Sequence, residues 1–199
     1  MVAVRKFEER FTYSDMLNWG ETVQYELYEG VPRAMTAPLM PHQDITSELQ
    51  FIIKGFLKDK PCKLYHAPSD VRLNYETDDD IVYQPDLYVL CDKSKQFNRG
   101  CKGAPDLVIE VLSPSTASID WIEKYHEYLK AGVKEYWIVD PENRILHQFI
   151  LENGKYVSNV FGDTDIITSH VLEGLSIKLS EVFEPLETIT SDKRPTTSD

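Results

Sequence analysis

Residues 106–139 constrain the fold of this chain more than any other stretch. Asp106-Leu107-Val108-Ile109-Glu110-Val111-Leu112 is an apolar run with one acid near its end. Runs of this kind are strands covered on both faces. A segment with helical spacing follows, from about Ala117 to Ala131, ended by Gly132, and then Val133 to Val139 forms another apolar strand. Strand, helix and strand in that order predict two parallel neighbours joined by a right-handed crossover. Alternation places Glu110 with Val108 and Leu112, and Leu107, Ile109 and Val111 on the opposite face. An ionised carboxylate there costs several kcal/mol unless a cation, a hydrogen-bond network or a metal compensates.

A second acid stands in a similar place. Gln84-Pro85-Asp86-Leu87-Tyr88-Val89-Leu90 is another apolar strand with a carboxylate near its start. If the two strands are neighbours, Asp86 and Glu110 converge on one point, where a divalent cation can sit between them.

The rest of the chain supplies more elements of both kinds. Thr12 to Gly20 reads as a short helix with Ser14 as N-cap and Gly20 as stop. Gln24 to Met35 alternates around Glu29-Gly30, a hairpin signal. From His42 to Lys58, Ile45, Leu49, Ile52, Ile53, Phe56 and Leu57 recur at helical spacing. Lys63 to Tyr75 and Ile81 to Cys91 read as strands joined by the polar turn Glu76-Thr77-Asp78-Asp79-Asp80, taken as a solvated tip. After Asp140-Pro141-Glu142-Asn143 come Arg144 to Leu151, short strands, and a last turn near Leu179 to Phe183. The expectation is one domain over 1–187, then a frayed polar tail over 188–199.

Composition narrows the setting. No apolar run approaches membrane-spanning length, and the charged start does not resemble a signal peptide. Cys62, Cys91 and Cys101 are odd in number and lack metal or redox spacing, which predicts a reducing bacterial cytoplasm and no disulfide framework. The five histidines are scattered, which argues against zinc. A formal charge of −12 argues against general adhesion to nucleic acid, although it leaves room for a local basic groove.

The ordered series Gln84-Pro85-Asp86 and Ile109-Glu110-Val111 resembles the PD-(D/E)XK nuclease superfamily. A longer series is closer to the bacterial putative restriction endonuclease family, a domain of unknown function within that superfamily. Its features here include Tyr25-Glu26-Leu27, Pro41-His42-Gln43, Asp70-Val71-Arg72-Leu73 and Glu110-Val111-Leu112-Ser113-Pro114-Ser115-Thr116. They continue with Asp120 and Lys124, then with Gly132-Val133-Lys134-Glu135-Tyr136-Trp137-Ile138-Val139-Asp140-Pro141. The resemblance spans about residues 12–186. It implies an α+β fold with an α/β core: an αβββαβ mixed sheet flanked by helices, with an N-terminal hairpin and short C-terminal strands.

The resemblance also implies an activity: Mg²⁺-dependent hydrolysis of DNA by an endonuclease, with Mn²⁺ as a substitute; cutting both strands of a duplex then favours a two-fold homodimer. Asp86, Glu110 and the carbonyl of Val111 would be the metal ligands, and Asp86, Glu110 and Lys124 the catalytic set. One departure matters. The superfamily lysine would stand two residues after Glu110, where this chain has Leu112, and Lys124 from the next helix is the replacement. Asp120, Lys124 and Tyr128 share a helix face, with Trp121, Tyr125 and Leu129 on the packed side.

Plainer roles compete for each residue. Asp86 after proline suits a turn cap, Glu110 a structural ion pair, and Asp120–Lys124 a surface helix pair. Asp70, His42, Glu26 and Asp120 are secondary candidates: Asp70 near metal or water, His42 as an exposed cap, Glu26 as a structural hydrogen-bond partner. The segment between the two acidic strands holds Lys93, Lys95, Arg99 and Lys102 against Asp92, so it is the expected phosphate-binding segment, passing one end of the site. The competing function is a catalytically silent nucleic-acid or protein-binding module that kept the fold.

Overall fold

The computed structural model describes residues 9–19, 23–113 and 118–184. The expected stop at Gly20, the turn residues Pro114 and Ser115 and the tail over 188–199 lie outside them. A short helix α1 (Tyr13–Met16) opens the chain. Its N-cap is Thr12 rather than Ser14: Thr12 and Asp15 cap each other reciprocally, which outcompetes the serine two residues on. The hairpin of β1 (Tyr25–Tyr28) and β2 (Val31–Ala34) turns at Glu29-Gly30, both at positive φ, a conformation glycine adopts freely. Helix α2 (Met40–Phe56) starts two residues before His42, with Pro41 in its first turn where a missing N–H costs nothing.

Each long strand expected between 63 and 91 is split in two. β3 (Lys63–His66) is followed by β4 (Asp70–Arg72), and β5 (Val82–Tyr83) by β6 (Leu87–Leu90). Pro68 and Pro85 mark the breaks, since neither can donate to a ladder. The halves part company: β3 and β6 pair in one sheet, β4 and β5 in another. A ribbon of β7 (Gln96–Phe97) and β8 (Gly100–Lys102) follows, then β9 (Leu107–Val111). The crossover begins as a π-helical turn over Ile119–Lys124, continues as α3 (Tyr125–Ala131), and ends at Gly132 at φ 86°. Next come β10 (Glu135–Asp140), β11 (Ile145–Glu152) and β12 (Lys155–Gly162). The chain closes with β13 (Ile166–Thr168), β14 (Ser176–Lys178) and α4 (Leu179–Phe183).

The larger mixed sheet has the order β12-β11-β10-β9-β6-β3, with β9 and β10 parallel. The second has the order β2-β1-β5-β4-β8-β7. Leu107, Ile109 and Val111 of β9 face the core under α2 and α4. Val108 faces a second core with Tyr83, Tyr128 and Tyr136. The alternation read from sequence therefore holds, and Glu110 belongs to the face that α3 covers.

Cys62 and Cys91 form a disulfide, contrary to the sequence expectation, while Cys101 is free and buried. Lys63 pairs with Leu90 across the antiparallel β3–β6 ladder, so the flanking cysteines fall opposite each other. Sequence spacing carries no trace of that register, and the cysteines no longer argue for a reducing compartment. Among the described residues no helix is long and apolar enough to cross a membrane.

Candidate active site

Leu87 pairs with Ile109 in the antiparallel β6–β9 ladder, so one step further Asp86 stands opposite Glu110 on the same face. Each acid touches the backbone of the other's segment. Asp86 Oδ2 accepts from the Val111 amide at 2.7 Å, and the Asp86 amide lies 3.4 Å from Glu110 Oε2.

Helix packing engages one oxygen of each carboxylate. His42, in the first turn of α2, brings Nε2 to 3.0 Å from Asp86 Oδ2. Its side chain is 13 % exposed, so it is not the exposed cap that the sequence suggested. A carboxylate can only accept, so Nε2 is the donor, leaving Nδ1 beside the Thr46 hydroxyl at 3.5 Å. On the other side Glu110 Oε1 accepts from Lys124 Nζ at 3.0 Å and from the Tyr128 hydroxyl at 2.8 Å. These side chains come from the π-helical turn and the first turns of α3, a backbone form that often marks functional positions.

Lys124 is buried, and its ammonium lies amid three carboxylates. It is 3.0 Å from Glu110, 3.1 Å from Glu26 and 3.4 Å from Asp120. The Asp120–Lys124 pair is thus buried rather than a surface helix pair. Asp120, Lys124 and Tyr128 form the buried stripe, while Trp121 and Tyr125 are half-buried against Phe149. Glu26 Oε1 also accepts from the Gln84 amide at 2.9 Å, so it ties the hairpin to the segment before Asp86.

Four carboxylates (Glu26, Asp86, Glu110, Asp120) share this region with one ammonium. Burial first, then the charges of Asp120, Asp86 and Glu26, hold the Glu110 carboxyl well above its usual range despite Lys124. For Lys124, burial pulls downward, but Glu110, Glu26 and Asp120 outweigh it and keep the ammonium charged. Burial and Glu110 raise Tyr128, which stays a protonated donor.

The donor set suits a small hard cation better than a closed cage. Asp86 Oδ1 has no hydrogen-bond partner among the described residues, and Glu110 Oε2 has only the long amide contact. Two hard oxygens on opposed residues in an acid-rich pocket fit an ion that keeps most of its water. No group of three or more His, Cys, Asp or Glu side chains among the described residues is placed to enclose a metal.

Asp70 lies apart from this pair. Its Oδ2 accepts from the Tyr13 hydroxyl and its Oδ1 from Gln84 Nε2, each at 2.8 Å, with Arg99 Nε at 3.5 Å. The basic segment is not where connectivity alone put it. It joins the ends of β6 and β9 remote from Asp86 and Glu110, and only the fold-back of the β7–β8 ribbon brings Arg99 to Asp70. Lys95 Nζ donates to the Ala104 carbonyl at 2.8 Å, Lys102 lies 5.9 Å from the Tyr75 ring centroid, and Lys93 is exposed. Asp79 at the acidic turn is bound by Arg72 and is less solvated than the sequence implied.

Sequence reasoning missed two residues. Gln84, linking Asp70 to Glu26, is inconspicuous in a strand. Glu135 is a fully buried acid at the start of β10, and an acid opening an apolar strand was its only signal.

A mixed sheet flanked by helices, with two in-register acids and a buried lysine, defines a domain of nuclease fold. The family model described as "Putative restriction endonuclease" (Uma2) matches residues 12–180, and the chain belongs to that family. Among solved structures, a "putative nuclease belonging to DUF820" from Anabaena variabilis ATCC 29413 is similar at a TM-score of 0.72 and 20 % identity. The match covers 87 % of this chain and 98 % of that one. No curated protein matches.

Proposed function

We propose that this domain is a Mg²⁺-dependent endonuclease hydrolysing DNA phosphodiester bonds, with Mn²⁺ as a substitute. The observation that supports it is the opposed pair Asp86–Glu110, each with one oxygen held by protein and one left for a ligand. When bound, the cation would lower the pKa of a water and offset charge on the phosphate oxygens. Asp86 Oδ1, Glu110 Oε2 and the Val111 carbonyl are the groups to hold it. The Val111 amide and His42 fix one Asp86 oxygen, while Tyr128 and Lys124 fix one Glu110 oxygen, so the free oxygens are oriented in advance. Lys124 donates to Glu110 and ion-pairs with Glu26 and Asp120, and the longest contact, to Asp120, is the one it exchanges for charge developing at phosphorus.

The homodimer belongs to the same proposal. β12 is an eight-residue edge strand exposing Val157 and Val160, an edge able to pair with a second copy.

One observation favours a silent module instead: Glu110 Oε1 and the Lys124 donors are already engaged within the chain. Plasmid nicking by the purified protein separates the two. Nicking with Mg²⁺ or Mn²⁺, lost in chelator and in Asp86→Ala, is expected. A folded wild-type protein that nicks with neither metal would leave only the silent reading.

A further inference from the structure

A cleft of about 510 Å³ opens beside the site, and neither metal binding nor phosphodiester chemistry uses it. Its floor is Asp70 and Gln84, one wall is the turn after β3, and the other is the β7–β8 ribbon. It lies next to Asp86: the Ala67 amide donates to the Asp86 carbonyl at 3.2 Å, and His66 pairs with Leu87.

The lining is unusual in three respects. Side-chain amides dominate it, with Gln24, Gln50, Gln84, Gln96 and Asn98 offering donors and acceptors together. Phe97 and Tyr65 supply aromatic surface. The charges are Lys54 and Arg99 against Asp70, a positive balance in a chain of −12. Both Asp70 oxygens are already bonded, so the acid presents little free charge.

Gln84 sharpens the reading. It is 3 % exposed, and its Nε2 donates to Asp70, which fixes the amide's orientation. Among the described residues its Oε1 is then a buried acceptor with no partner. An orphaned acceptor of this kind costs free energy unless a ligand completes it.

We infer that this cleft receives one unpaired nucleotide of the strand presented to Asp86 and Glu110, so that the substrate is single-stranded or locally opened DNA. The base stacks on Phe97, its edge meets the side-chain amides that line the cleft, Gln84 among them, and the flanking phosphates lie against Lys54 and Arg99. The volume suits a small ligand, whereas paired bases in an intact duplex keep their faces stacked and out of reach. This rests on the nuclease reading for its substrate, but it is tested by binding alone.

The probe is a labelled single-stranded oligodeoxynucleotide of about ten nucleotides, beside its duplex, measured by anisotropy in chelator so that nothing is cut. Single strands should bind at least about tenfold more tightly than duplex. Phe97→Leu, which keeps the volume and removes the ring face, should lose about tenfold on the single strand alone. Lys54→Gln and Arg99→Gln should each lower the salt slope by about 0.7. Equal affinity for both forms, or indifference to Phe97→Leu in a variant with wild-type circular dichroism, would overturn the inference even if plasmid is nicked. Single-strand preference without cleavage of either plasmid or the single-stranded oligonucleotide in Mg²⁺ or Mn²⁺ would keep the cleft and remove the nuclease.

Discussion

Replacing Lys124 with Met tests the centre of the structure most directly. Met keeps the length and apolar stem and deletes the charge, leaving Glu26, Glu110 and Asp120 buried with no cation among them. Removing one partner of a buried ion pair costs about 3–5 kcal/mol. That is a large share of the roughly 5–15 kcal/mol that holds a domain folded. At about 2–4 °C per kcal/mol for a chain of this size, the midpoint should fall by roughly 6–20 °C in chelator. Far-UV circular dichroism against temperature and denaturant reads it. Mn²⁺ should then stabilise Lys124→Met more than wild type, because a cation replaces the lost charge; occupancy at 100-fold above Kd contributes about 2.7 kcal/mol. A variant within about 1 kcal/mol of wild type in chelator would show that the three acids do not share the ammonium, and the site as described would be wrong. Were Lys124 a lysine in an open catalytic pocket, its removal would leave the fold largely intact. Its burial argues otherwise.

Glu135→Ala should destabilise the fold by on the order of 3 kcal/mol, since four donors lose their acceptor, yet leave the Mn²⁺ response and nicking of the folded fraction unchanged. Denaturant melts beside a metal titration check both halves. Sedimentation should show a dimer for wild type and a monomer for the Val157→Lys, Val160→Lys double variant, because lysine on an edge strand blocks pairing. A monomeric wild type would remove the dimer.

What the sequence showed, and what it hid, follows from the range of each interaction. The β9–α3–β10 unit was legible because unbroken apolar runs and helical spacing are local signals, and a parallel crossover has one favoured hand. Asp86 and Glu110 were legible because an acid inside an apolar strand needs an explanation. Splitting the strands at Pro68 and Pro85 into two sheets was not, because the choice of partner strand is a long-range matter. The same holds for His42, whose ring reaches Asp86 only after α2 has packed, and for Cys62 and Cys91, joined by cross-strand register. The π-helical turn over Ile119–Lys124 shares its apolar pattern with an α-helix, so periodicity does not distinguish them.

Two buried glutamates on adjacent strands show how an acid with both oxygens satisfied differs from one with an oxygen left open. Glu135 on β10 is complete. Its Oε1 accepts from Trp137 Nε1 and Gln148 Nε2, and its Oε2 from the Ser169 hydroxyl and the Val171 amide. Four neutral donors satisfy both oxygens, and they tie the segment before β14 to the sheet. Glu110 on β9 is equally buried but half complete. Its Oε1 is held by Lys124 and Tyr128, while its Oε2 has one contact at 3.4 Å and stands across the ladder from Asp86, whose Oδ1 is also open. Burial alone therefore does not separate the two roles, because both residues have it. The difference is that the described residues supply every partner Glu135 needs and withhold one from both Glu110 and Asp86, at the same place. A fold that needed only stability would gain from closing those two oxygens with donors, as it does at Glu135. Leaving them open in an acid-rich pocket costs stability, a cost that the proposed cation would offset.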